Sequence, residues 1–243
     1  MEQADKGFIT ILTGLYAFQD CFHFLASVRK FHTEPIAVLI DAVPKILQGL
    51  LTSHGNVTLV PAPSHENPQL ASRLAKVALY ELSPFSKTLY LDCDTCLLTN
   101  VAELFDLIGD ADLVLTEDPQ RSIGTATHLL RQPLGVVHSL NATGLTVTED
   151  TVQYNGGLVG FGRSEGAARF FCEYKRFFER VLRNQHLLNM RDQGALAAAV
   201  EKVKPSVRVL PANYNYLHEF AHRYSTAVAA PIKIMHCRYP RRP

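Results

Sequence analysis

Leu89-Tyr90-Leu91-Asp92-Cys93-Asp94-Thr95 is an apolar run that ends in two carboxylates one residue apart. Its first half reads as a buried strand. In an extended chain residues i and i+2 point to one side, so Asp92 and Asp94 converge on a single divalent cation if the backbone stays extended, or share it through water if the chain turns. Oxygen ligands favour Mg²⁺ or Mn²⁺, ions that keep open positions for substrate phosphates. An Asp-x-Asp also opens surface turns and caps helices, and a helix is expected near Val101. Alternation turns Cys93 away from the carboxylates and toward core packing. Cys93-x-x-Cys96 lacks the second pair that a structural zinc site wants.

The sequence around this strand predicts an α/β domain. Strands are expected over residues 8–13, 35–40 and 57–60, with a helix over 16–31 that carries Phe18, Cys21, Phe22 and Leu25 on one stripe. A loop over 61–68 and a helix over 69–82 then lead into the Asp-x-Asp strand. Residues 113–116 and 157–161 read as further strands. Ser164 is expected to cap a helix to Asn184 with Ala167, Phe170, Phe171, Tyr174, Phe178 and Val181 inward. Such alternation gives a mostly parallel sheet flanked by helices, with ligands bound at the carboxyl ends of its strands. Residues 118–153, polar with Gly and Thr, read as a long insertion or lid within a single domain over 1–243.

Composition narrows the class. With 243 residues, 47% of them hydrophobic, the chain can bury a large core without staples. Lys plus Arg number 24 against 23 Asp plus Glu, interspersed, so no nucleic-acid-binding face is expected. The exception is the basic tail 237–243, with Arg238, Arg241 and Arg242, which could touch anionic lipid or a phosphate. Five cysteines, an odd number, argue for free thiols in a reducing compartment. No run of about eighteen apolar residues occurs, so a cytoplasmic chain without a transmembrane segment is expected. A homodimer stays open.

Further residues complete a pattern. They are residues 8–13 followed by Tyr16, then Lys76, the Asp92-Cys93-Asp94-Thr95 motif, and Tyr154-Asn155-Gly156-Gly157 entering a strand. After these come Arg191-Asp192-Gln193-Gly194 entering a helix, Leu210-Pro211-x-x-Tyr214-Asn215, and a terminal strand over 232–236 ending in His236. In order and spacing this resembles the retaining glycosyltransferases of family 8, the glycogenin-like group. The resemblance implies a GT-A (nucleotide-diphospho-sugar transferase) fold, a single Rossmann-like domain with a central mostly parallel mixed sheet flanked by helices. It also implies transfer of a hexose of the glucose or galactose class from a UDP-sugar to a saccharide, glycan or protein acceptor.

By the same resemblance Asp92, Asp94 and His236 would hold Mn²⁺ (or Mg²⁺), which bridges the donor diphosphate and cancels charge on the leaving group. A lone histidine at a strand end is otherwise packing or surface. Lys76, with Arg73 one turn earlier, would approach the phosphates or the sugar, Ile11, Thr13 and Tyr16 would form the uridine pocket, and Cys93 belongs to the donor-binding motif. The cation that in the family follows this histidine would come from Lys233, Arg238, Arg241 or Arg242. Asn155, Gly156 and Gly157 would hold the sugar, glycine permitting close approach. Asp118 would contact the donor, and Asp192 and Gln193 would lie nearest the reacting carbon, although a helix N-terminus also attracts Asp192. Two other classes compete. One is a non-catalytic sugar-nucleotide-binding relative; the other is a haloacid dehalogenase-type phosphatase with Asp92 as nucleophile, which wants a downstream Gly-Asp-x-x-x-Asp where Gly109-Asp110 is followed by Val114.

Overall fold

Unbroken apolar runs make the centre of the sheet. In β1 (Lys6–Thr13), β2 (Ile36–Asp41) and β4 (Lys87–Leu91) nearly every side chain is buried, as strands covered on both faces require. The computed structural model describes residues 5–125, 136–184, 192–223, 228 and 230–237. Between these strands lie α1 (Phe18–Phe31), α2 (Lys45–Thr52), β3 (Val57–Pro61), α3 (Pro68–Val77) and α4 (Leu79–Leu82). Beyond them come β5 (Thr95–Leu97), α5 (Glu103–Leu107), β6 (Leu113–Ser122), α6 (Val136–Ala142) and β7 (Val152–Phe161). The chain continues through α7 (Glu165–Arg183), α8 (Gln193–Val203), β8 (Val207–Leu210), β9 (Tyr216–Leu217) and β10 (Ile234–His236).

The main sheet has seven strands in the order β3-β2-β1-β4-β7-β6-β8. Every pairing is parallel except the two made by β7, so the mostly parallel mixed sheet expected from the sequence is present. One face carries α3, α4, α7 and α8, with Phe170, Phe171, Tyr174, Phe177 and Phe178 of α7 filling that core. The other face carries α1, α2 and α5. Because β1 pairs with both β2 and β4, the order of the chain reverses there, and such a switch point opens a crevice at the strands' carboxyl ends. A smaller sheet, β5-β10-β9, stands beside it.

Several boundaries differ from the sequence reading. The buried stripe of α1 runs through Cys21, Phe24, Leu25 and Val28, so Phe24 takes the place expected for Phe22. The helix over 69–82 breaks at Ala78 into α3 and α4. Both β6 and β7 run far beyond 113–116 and 157–161, because polar residues such as Asp118, Gln120 and Gln153 are buried by pairing with one another rather than exposed. The ends of segment 118–153 thus belong to the sheet, and Leu140, Leu145 and Val147 within it pack into the core; residues 126–135 lie outside the described residues. The terminal strand expected over 232–236 is shorter, Ile234–His236, and pairs within the small sheet. No described helix is long and apolar enough to cross a membrane.

Asp112 joins three elements. Its carboxylate accepts from the Ser164 hydroxyl at 2.6 Å and from the Ser206 N–H and hydroxyl at 2.9 Å, while Ser164 also caps α7 through the Ala167 N–H. The Ser164 hydrogen bond, with those from Ser206, outweighs partial burial and holds this carboxyl below its ordinary value. Gly166 has to be glycine, since a Cβ there would lie 2.2 Å from the Asp112 carboxylate. Asp112→Ala should cost about 1–2 kcal/mol at neutral pH, read as a fall of a few degrees in thermal midpoint. A depressed folded value makes this contribution complete above the unfolded value near pH ~4 and lost as pH falls through the folded one. The midpoints of parent and variant should therefore converge in acid; a gap that widens there contradicts the assignment.

Candidate functional site

At the carboxyl ends of β1 and β4 lies a cleft of about 810 Å³. Its walls include Ile11 of β1 and Tyr16 after it, Asp20 and His23 of α1, Arg73 and Lys76 of α3, the Asp92–Asp94 turn, Asn155 to Gly157 of β7, Asp192 and Gln193 at the start of α8, and His236. Residues far apart in sequence thus meet in one place.

The chain turns at residues 93–94, so the two acids are not extended neighbours. Their convergence comes from β10, which pairs antiparallel with β5 and sets His236 opposite Thr95, while the Cys237 N–H bonds the Asp94 carbonyl at 2.8 Å. His236 Nε2 lies 3.2 Å from Asp94 Oδ1 and 4.0 Å from Asp92 Oδ2. One ligand atom from each of Asp92, Asp94 and His236 falls within 4.8 Å of the others. Two carboxylates and an imidazole nitrogen fit a divalent ion such as Mn²⁺ or Mg²⁺. A Cβ on Gly157 would lie 2.5 Å from the His236 ring, so glycine here is what admits the histidine.

Asp92 Oδ1 is already engaged, by the Tyr90 hydroxyl and by Lys76 Nζ at 2.8 Å. That leaves Oδ2 as the oxygen on the histidine side. Lys76 also stands 4.0 Å from Asp192 Oδ2, which accepts from the buried Tyr174 hydroxyl at 2.7 Å. Burial opposes the charge on Lys76, but Asp92, Asp192 and Asp94 overcome it and hold the ammonium above its ordinary value. For Asp192 burial is again overcome, by Lys76, Tyr174 and Arg73, and the carboxyl is held below its ordinary value. In Asp94 burial yields in the same way to His236 and Lys76. Burial, followed by the neighbouring carboxylates, pushes Tyr90 and Tyr174 well up, so both phenols stay protonated donors.

Gln193 donates to Asp118 Oδ2 at 2.8 Å and to the Tyr154 carbonyl at 3.1 Å, which turns its own carbonyl end the other way. Gly156 lies beside the Lys76–Asp192 pair, where a Cβ would stand 3.8 Å from Lys76 Nζ and 3.9 Å from Asp192 Oδ2.

Other expected residues lie elsewhere. Asp118 is buried behind the cleft wall, where it bonds Asn155, Gln193 and the Gln120 N–H. The Thr13 hydroxyl donates to the Pro68 carbonyl at 2.6 Å and braces β1 against α3. Cys93 does border the cleft while packing against the α1 side of the core, and burial, then Cys21 and the two acids, pushes its thiol well up. Lys233 bonds Glu103 and Tyr214 away from the cleft. Arg191, Arg238, Arg241 and Arg242 lie outside the described residues. The sequence reading assigns no site role to Tyr90 or Asp20, and it marks Tyr174 only as a core residue of α7. Tyr90 was findable, since alternation sets it on the side of Asp92.

No protein-family profile matches the sequence, and no curated protein does. Solved structures do. The galactosyltransferase LgtC, in complex with donor and acceptor sugar analogs, superposes with a TM-score of 0.68 at 17% identity, over 96% of this chain and 87% of that one. The bifunctional glycosyltransferase WbbM gives 0.62 at 18%, over 97% of this chain and 46% of that one. Mouse xyloside xylosyltransferase 1 gives 0.61 at 13%, over 96% and 98%. At such identities the likeness speaks for the backbone: the chain has the GT-A fold that these glycosyltransferases share.

Proposed function

We propose that this chain is a metal-dependent retaining glycosyltransferase that moves a hexose from a UDP-sugar to an acceptor hydroxyl. One observation carries the reading. A single cleft holds the Asp92, Asp94 and His236 cluster, with Lys76 in contact with Asp92 and reaching on to Asp192, so that groups suited to a diphosphate and groups suited to a sugar adjoin one another. The fold shared with glycosyltransferases supports it.

A divalent ion held by Asp92, Asp94 and His236 would supply Lewis-acid neutralisation of the departing diphosphate. Lys76 adds a point charge beside it. Tyr16 and Ile11 offer the uracil a ring and an apolar edge, and Arg73 is a further cation on the same wall. At the sugar, Asp192 is ionised and oriented by Tyr174, fit to bind hydroxyls and to meet positive charge that grows on the ring. In the front-face course the C1–O bond to the diphosphate breaks as the acceptor oxygen bonds on the same side, and a donor phosphate oxygen takes the acceptor proton. In a double displacement Asp192 would instead attack C1.

The phosphatase reading loses its second acid. Both β4 and β6 run antiparallel to β7 and hence parallel to each other, so Asp110, ahead of β6, lies off the amino ends of the strands and away from Asp92. Asp92 Oδ1 is moreover occupied by Tyr90 and Lys76.

Asp94→Asn should abolish turnover and the Mn²⁺-dependent rise in thermal midpoint caused by UDP, while the metal-free protein stays folded. Full activity of this variant in excess chelator removes the metal from the reaction.

Asp192→Asn should lower kcat by about 10²–10³ while UDP binds almost as before, because the carboxylate meets charge that appears mainly in the transition state. Product made from an α-linked donor should keep the α configuration. An inverted product would leave the fold standing and remove the retaining mechanism.

A further inference from the structure

Asn215 follows the short helical turn of residues 212–214 and is 2% exposed. Its Oδ1 stands 2.9 Å from His236 Nδ1, and its Nδ2 stands 2.9 Å from Asn155 Oδ1 and 3.0 Å from Thr116 Oγ1. Chemistry decides which end of each amide faces which neighbour. The Gly157 backbone N–H can only donate, and it points at Asn155 Oδ1 from 2.9 Å. On the other end of that amide, Nδ2 donates to the Asp118 carboxylate at 3.0 Å. Asn155 is therefore fixed twice over, oxygen toward Gly157 and Asn215. An oxygen there calls for the NH₂ of Asn215, and the remaining oxygen of Asn215 then faces the histidine. Against that oxygen, Nδ1 has to carry a proton.

We propose that Asn215 is a positioning residue for metal binding: it holds His236 in the Nδ1–H form and so presents the Nε2 lone pair to the cation between Asp92 and Asp94. The inference rests on the metal site of the proposed function and deepens it. The bonded series continues past Asn155 and Asp118 to Gln193, so the ring that faces the metal and the amide nearest the sugar are oriented by one set of hydrogen bonds. Outer partners of this kind set both the tautomer and the direction of a ligating imidazole.

The test is Mn²⁺ binding by the protein without nucleotide, followed by the electron paramagnetic resonance of free Mn²⁺, in a double-mutant cycle. Asn215→Ala should weaken binding about 10–100-fold, His236→Ala should weaken it at least as much, and the double variant should bind no worse than His236→Ala alone. Asn215→Asp keeps an acceptor for Nδ1–H but sets an oxygen against Asn155 Oδ1, so it should bind Mn²⁺ more weakly than the parent and more tightly than Asn215→Ala. Parent-like binding by Asn215→Ala, or a loss of the same size in the His236→Ala background, overturns the inference and leaves the metal site intact. A parent that binds no Mn²⁺ removes the metal reading itself, and the inference with it. A second measurement needs no variant. In the Mg²⁺-loaded parent, nitrogen resonance should show a proton coupled to His236 Nδ1 and none on Nε2; a proton on Nε2 overturns the assignment.

Discussion

Three carboxylates, those of Asp92, Asp94 and Asp192, face one cleft, and everything near them is arranged to make that tolerable. Two like charges about 5 Å apart at an effective dielectric of about 20 repel by roughly 3 kcal/mol. Lys76 answers this from 2.8 Å and 4.0 Å, with the hydroxyls of Tyr90 and Tyr174 as further donors to the same acids. Helix α3 therefore has to deliver its last turn accurately. Its start is pinned by Asn67, whose Oδ1 accepts from Gln69 N and Leu70 N, by Pro68 in the first turn, and by the Thr13 hydroxyl on the Pro68 carbonyl. Thr13 thus serves the cleft through the helix.

The two sheets divide the remaining work. The switch between β1 and β4 opens the crevice, and the antiparallel β7 brings a glycine pair to its floor where side chains would block it. The small sheet then carries His236 across to the Asp92–Asp94 turn. Neither sheet alone makes the site. The buried polar series from Gln193 to His236 runs along their junction, where each member is satisfied by the next, as low-dielectric surroundings demand.

Much of this was legible in the sequence because the decisive signals are local. The apolar strand before Asp92, the Ser164 cap and the phenylalanine-rich face of α7 each announce themselves within a few residues. What was hidden depended on partners distant in the chain. Asp118, Gln120 and Gln153 look like loop residues until their bonding partners are known, so β6 and β7 were read short. Thr13 and Asp118 were expected at the ligand; the first is turned to Pro68 and the second lies one layer behind, because a hydroxyl or carboxylate type does not tell which neighbour it will bond. Asn215 stood inside a quoted motif without a role, since its partners Asn155 and His236 come from two other strands.

The pairing of β10 with β5 also governs when the cleft comes into being. The acids at residues 92–94 are set once β4 is in the main sheet, but their histidine arrives only when a segment more than a hundred residues later docks. Closing so long a loop is slow compared with forming helices and local turns. A folding chain would thus complete its hydrophobic layers first and hold the Asp92–Asp94 turn beside Lys76 before His236 arrives. Completion of the Asp92, Asp94 and His236 cluster would be among the last events of folding.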